Sequence, residues 1–208
     1  MDVSSIWNTS TAIVSGIAAL AGGAIGALLK WIDVRQKLAT LSRELQQAKD
    51  DAESRRAVDV RAARDIALGL EAFALACYAL RIENARADRA GDGIDFGLPT
   101  LGPGGRAGNS RDALELESAY SDLEQQIRAA NDHIDETYRD TYNAGPQKAL
   151  MVHEIVVLEV AALALKLAAR YRESFGVPRM PLGRREQRIE EEILSRAANE
   201  DAASPDGH

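Results

Sequence analysis

From Ala12 to Leu29 the chain reads AIVSGIAALAGGAIGALL, a run without charge in which Ser15 is the sole polar side chain. At about 1.5 Å per residue these positions make roughly 27 Å of helix, close to the thickness of a bilayer's hydrocarbon core. Heptad spacing follows. Leu38, Leu41, Leu45, Ala48 and Ala52 succeed one another by three and four, which predicts a helix with an apolar stripe along one face. Ile66, Phe73 and Leu80 keep the same frame, but Arg55 and Asp59 occupy seam positions between them. Ile66 to Ile82 is apolar on most sides, which predicts burial against other helices. Gly91 to Asn109 then holds seven glycines and two prolines, so the helix ends there in a long irregular connection. Its Ile94, Phe96, Leu98 and Leu101 are apolar enough to dock on a surface.

Ser110 is a suitable N-cap for a second helix, whose inner face reads Leu116, Tyr120, Leu123, Ile127, Ala130, Ile134, Thr137 and Thr141. Its outer face is acidic, with nine Asp or Glu side chains between Asp112 and Asp140 against Arg128 and Arg139. The short turn Asn143-Ala144-Gly145-Pro146 predicts an antiparallel third helix, from about Gln147 to Phe175. Leu150 to Ala169 is apolar nearly all round, yet it contains His153, Glu154, Glu159 and Lys166. Each acid or lysine at a bilayer centre costs about 3 kcal/mol, so this is the core helix of a bundle rather than a second span. Beyond Gly176, Pro178, Pro181 and Gly183, a short charged helix from Arg184 to Ala198 carries Ile189, Ile193 and Leu194 on one side, and the tail frays from Ala202.

The resulting fold class is all-α: an N-terminal single transmembrane helix continuing into a long helix and an antiparallel cytoplasmic helical bundle. Residues 1–32 form the anchor, 33–64 a juxtamembrane stalk, and 65–176 the bundle with its Gly-rich loop 91–109. Residues 177–208 form the charged helix and a disordered tail. Trp7 and Trp31 flank the apolar run, about 36 Å apart along a helix, which suits the two headgroup belts. Lys30, Arg35, Lys37 and Arg43 follow the run against Asp33 alone, and no basic side chain precedes it. That asymmetry predicts an inner or plasma membrane protein with its N-terminus outside and its bundle in the cytoplasm, and it lacks the positive n-region of a signal peptide. Trp7, Lys30, Trp31, Arg35 and Lys37 are the expected lipid-interface residues. Two rows of small residues, Ala18, Gly22, Gly26 and Ser15, Ala19, Gly23, Ala27, let a second span approach closely, so a homo-oligomer is expected.

Composition narrows the chemistry. The net charge of −7 lacks the basic excess of a nucleic-acid binder, and no nucleic acid is expected. Cys77 is the sole cysteine, which excludes an intrachain disulfide or a cysteine-based zinc site and suits a small buried thiol. Arg55, Arg56, Arg61 and Arg64 are expected to pair with Asp50, Asp51, Glu53 and Asp59 or with the acidic second helix. With His133, His153 and His208 as the only histidines and no Glu-x-x-His pair, neither metal nor cofactor is implied, and His153 reads as a satisfied core histidine. Arg128-Ala-Ala-Asn-Asp-His133 resembles, over six residues, the Arg-to-His spacing of HEPN-type ribonucleases. That resemblance implies RNA cleavage by Arg128 and His133 in a shared dimer cleft. It departs from the family's pattern at Ala129, where a polar residue is usual, and arginine is frequent enough here to generate the spacing by chance.

The expected function is a membrane-tethered, self-associating interaction or scaffold module whose bundle engages a protein partner. The alternatives are a pore-forming or membrane-disrupting effector assembling through the Gly/Ala-rich span, and the membrane-bound ribonuclease.

Overall fold

The computed structural model describes the backbone of residues 4–102, 104–141 and 147–203, and the side chains of 31, 33–102, 104–140 and 147–197. It contains four helices and no strand among those residues: α1 (Ser4–Ala90), α2 (Arg111–Thr141), α3 (Gln147–Phe175) and α4 (Arg184–Ala203). The chain divides into two compact units, Met1–Arg55 and Arg56–His208.

In the first unit the backbone is helical from Ser4. The expected span 12–29, with its association residues Ser15, Ala18, Ala19, Gly22, Gly23, Gly26 and Ala27, and the interface residues Trp7 and Lys30, lies outside the described side chains. Among the described residues no helix is long and apolar enough to cross a membrane.

The second unit is a bundle. Arg172 of α3 meets Glu71 of α1, and Glu154 of α3 meets Arg81 of α1, so these two helices run antiparallel. Tyr171 near the end of α3 reaches the same loop carbonyl region as Tyr120 in the first third of α2, so α2 also opposes α3, as the short turn predicts. Glu192 of α4 pairs with Arg81 while Glu190 pairs with Arg179 just beyond α3, which sets α4 antiparallel to α3. Three helices therefore point one way and α3 the other.

Periodicity explains the core. α1 buries Ala63, Ala67, Leu70, Ala74 and Cys77, and α2 buries Ala113, Leu116, Tyr120, Leu123, Ile127, Ile134 and Thr137, each by alternating steps of three and four. The α2 face agrees with the sequence reading except at half-buried Ala130, and Ser110 caps the helix by accepting the Ala113 N–H at 3.2 Å. α3 is buried along most of its length, with alanines 161, 162, 164 and 168 in the core. Glu154, Glu159 and Lys166 all point outward.

Two expectations change. Of the Ile66, Phe73, Leu80 frame Phe73 is buried, but most of the α1 seam lies one position away, leaving Ile66 and Leu80 half-buried and Leu68 and Leu75 exposed. Alanines, which let helix axes approach, define the contact line, and the larger leucines flank it. The Gly-rich connection is also consumed by the fold. Asn84 clamps both the N–H and the carbonyl of Asp95, Asn131 accepts the Leu98 N–H, and Leu98, Gly105 and Ala107 are buried. Gly108 reaches back to Asp59 on α1. The connection is thus a strap running from the end of α1 back along the bundle, and this return lets α1 and α2 run parallel.

Candidate functional site

In the first unit, Trp31, Val34, Leu38, Leu41 and Leu45 are all more than half exposed. With Ala48 and Ala52 they form one unbroken heptad stripe facing solvent. The Arg35 guanidinium stacks 4.4 Å over the Trp31 ring, and Lys37 pairs with Asp33 at 2.9 Å. Exposed apolar side chains along one helix face are costly to leave in water. The expected ion pairing of Arg55, Arg56, Arg61 and Arg64 is not found. None of them lies within ion-pair distance of a carboxylate among the described residues, although Asp51 and Asp59 stand four positions to either side of Arg55 and Asp65 four beyond Arg61.

The second unit carries two arginine-centred clusters. At one end, Arg172 donates from Nε and Nη2 to the two oxygens of Glu71 at 3.0 and 2.9 Å, and from Nη1 to the Pro178 carbonyl. Arg179 donates bidentately to Glu190 at 2.9 and 2.7 Å and also approaches Glu71 at 3.2 Å. These contacts, with Glu190 foremost, hold the Arg179 guanidinium above its ordinary range. At the other end, Arg81, 8% exposed, bridges Glu154 at 3.1 Å and Glu192 at 2.6 Å. Tyr78 donates to the second Glu192 oxygen at 2.7 Å. That hydroxyl, then Arg81, holds the Glu192 carboxyl below its usual range.

Beside this second cluster lies His153, fully buried with neither ring nitrogen hydrogen-bonded. It is a core histidine, as expected, but not a satisfied one. Its ring meets the edge of Phe96 from the strap at 5.7 Å, and Phe96 in turn packs on Tyr138 at 5.2 Å. Burial lowers the His153 pKa, so the imidazole is neutral near pH 7. Midway along the strap, Tyr120 donates to the Gly102 carbonyl and Tyr171 to the Gly105 carbonyl, and burial raises both phenols.

The ribonuclease candidates are both exposed on α2. Five residues apart, they stand about 140° apart around the helix. Arg128 donates its Nε–H back to the Glu124 carbonyl at 3.3 Å, and the His133 carbonyl accepts from Thr137. Within one protomer the two side chains do not converge. Among the described residues, no group of three His, Cys, Asp or Glu side chains is placed to hold a metal.

Alongside the Arg172–Glu71–Arg179 cluster two cavities adjoin. One, of about 260 Å³, lies between Leu68, Ala72 and Leu75 of α1 and Leu165, Leu182 and Ile193. The other, of about 620 Å³, is lined by Val60, Arg61, Arg64 and the turn from Val177 to Leu182. No part of the sequence reading pointed to this groove, whose walls come from three elements far apart in the chain. No protein-family model, curated protein or solved structure matches the chain.

Proposed function

We propose that the protein is a membrane-tethered, self-associating helical scaffold. In this reading residues 12–29 cross an inner or plasma membrane once, with the N-terminus outside and the bundle in the cytoplasm. The observation carrying it is the solvent-exposed heptad stripe from Trp31 to Ala52, which begins directly after an uncharged apolar run. A stripe of this kind pairs with a copy of itself. Anchoring all copies in one membrane raises their effective concentration, so that a short stripe suffices. Lys30, Trp31, Arg35 and Lys37 then lie near anionic headgroups. Because Phe96, Leu98 and Leu101 of the strap pack on the bundle's own core, a protein partner is left the outer surface, where the acidic face of α2 is exposed.

The test combines topology and association in the full chain. Reporter fusions at both termini and after Gly145 are expected to place only the N-terminus outside. Site-directed cross-linking in membranes through Leu41→Cys, with Cys77→Ser, is expected to give a dimer band that Leu38→Asp and Leu45→Asp remove. A soluble chain, or a monomer with an intact stripe, refutes the proposal.

A further inference from the structure

We infer that the groove beside Arg179 is a binding site for an aliphatic acyl chain bearing an anionic head. It lies wholly within residues 56–208, so the assignment does not depend on how the N-terminal segment is lodged. The two cavities share Leu68, Glu71, Arg179, Leu182 and Glu186, and together they fall in the size range of small-molecule sites.

The lining chemistry selects the ligand. No aromatic ring lines either cavity, so nothing is offered to a planar ligand to stack on. The apolar walls are aliphatic, and Leu68 and Met180 stand 45% and 75% exposed around the opening. That surface gains by contact with hydrocarbon, at about 25 cal/mol per Å² removed from water.

The polar side chains are mostly engaged already. Glu71 is held by Arg172 and Arg179, Glu190 by Arg179, and Glu186 accepts the Gly183 N–H at 2.9 Å at the start of α4. Arg172 and Arg179 are bound in turn to those carboxylates. Among the described residues, the two charges of this lining left without an ion-pair partner are Arg61 and Arg64, one turn apart on the exposed face of α1. An aliphatic slot with two uncommitted guanidinium groups at its rim fits a hydrocarbon tail ending in a carboxylate or phosphate.

The experiment uses the full chain in nanodiscs of zwitterionic lipid, with probe uptake by empty nanodiscs subtracted. Titration with 11-(dansylamino)undecanoic acid is expected to give a saturable blue-shifted emission at one probe per chain. Hexadecanoate displaces it, while hexadecanol, with the same tail and no charge, is at least tenfold weaker. Arg61→Ala with Arg64→Ala weakens hexadecanoate about tenfold and leaves hexadecanol unchanged. Leu68→Trp with Leu75→Trp fills the slot and removes probe binding, with the helical circular dichroism retained. Displacement by 1-palmitoyl-lysophosphatidate but not by hexadecanoate assigns the head to a phospholipid source, and the reverse to a free acid. Absence of saturable binding, equal displacement by hexadecanol, or an Arg61/Arg64 double variant that binds hexadecanoate unchanged each overturns the assignment.

Discussion

Gly105 sits in the strap with φ +116°, and a Cβ built there stands 3.0 Å from Cγ and Cδ1 of Tyr120. Tyr120 is 4% exposed and tied by its hydroxyl to the Gly102 carbonyl, so the ring has little room to retreat. Gly105→Ala therefore meets two costs: a backbone region that L residues rarely adopt, about 1–3 kcal/mol, and an overpacked contact, about 1 kcal/mol or more. The reduced freedom of the unfolded chain offsets about 0.4–1 kcal/mol. The net expectation is destabilisation of about 2–3 kcal/mol. Cys77 supplies the assay, because this buried sole cysteine, its pKa raised to about 12 by burial, reacts with a thiol reagent only when the bundle opens. In the regime where reclosing outpaces labelling, 2–3 kcal/mol corresponds to labelling roughly 30- to 140-fold faster. Gly176, at φ +63° with nothing within 4 Å of a built Cβ, is the control: Gly176→Ala carries backbone strain alone, about 1 kcal/mol and roughly fivefold. If Gly105→Ala changes the rate less than threefold, or no more than Gly176→Ala does, the strap is not packed against Tyr120 as described.

Other outcomes follow from the same structure. Gly69 lies on the exposed face of α1 with open space around a built Cβ, so Gly69→Ala is expected to stabilise the bundle by about 0.5–1 kcal/mol, slowing Cys77 labelling roughly two- to fivefold; an unchanged or faster rate contradicts this. Burial depresses the His153 pKa below 6.5, so the unfolded chain takes up this proton first, and stability present above pH 6.5 declines as the pH falls below it. Guanidinium midpoints at pH 7.5 and 5.5 should show that decline in the native chain and not in His153→Leu. Glu192, held low by Tyr78 and Arg81, adds a separate loss only below about pH 4.5. Arg172→Met strips Glu71 of its bidentate partner and leaves it the single Arg179 contact, an expected loss of about 2 kcal/mol. A double-mutant cycle with Glu71→Gln giving coupling under about 0.5 kcal/mol would mean that the pair is not formed in solution.

What the chain disclosed on reading was whatever repeats locally. The α2 face from Leu116 to Thr137, the Ser110 cap, the limits of α3 and the outward Glu159 and Lys166 all follow from three-four spacing within one segment, and so were legible. The groove was not, because Leu68, Leu165 and Ile193 belong to three helices and no local pattern brings them together. His153 illustrates a second limit. Its burial could be anticipated from an apolar helix, but whether its nitrogens find partners depends on Phe96 and Tyr138, supplied by the strap and by α2. The strap was legible in part: its apolar side chains marked it as able to dock, and Phe96, Leu98 and Leu101 do pack on the core, but glycine and proline density reports where helix stops, not where extended backbone then lies. Ala63, Ala67 and Ala74 share the core with Phe73 while Ile66 and Leu80 stay half-buried, because a small residue on a contact line leaves no mark in a pattern of large apolar side chains.

The order in which these parts leave the ribosome has its own consequence. Glu71 meets Arg172 across 101 residues, and at roughly 5–20 residues per second the first is synthesised about 5–20 s before the second. The α2–α3 hairpin closes locally and quickly, but the seam of α1 has at most the strap beside it until α3 is complete. During that interval the nascent chain presents most of Ile66 to Ile82 without its α3 partner. The bundle is thus exposed to chaperone capture or to premature pairing between neighbouring nascent chains, a hazard that the finished structure conceals.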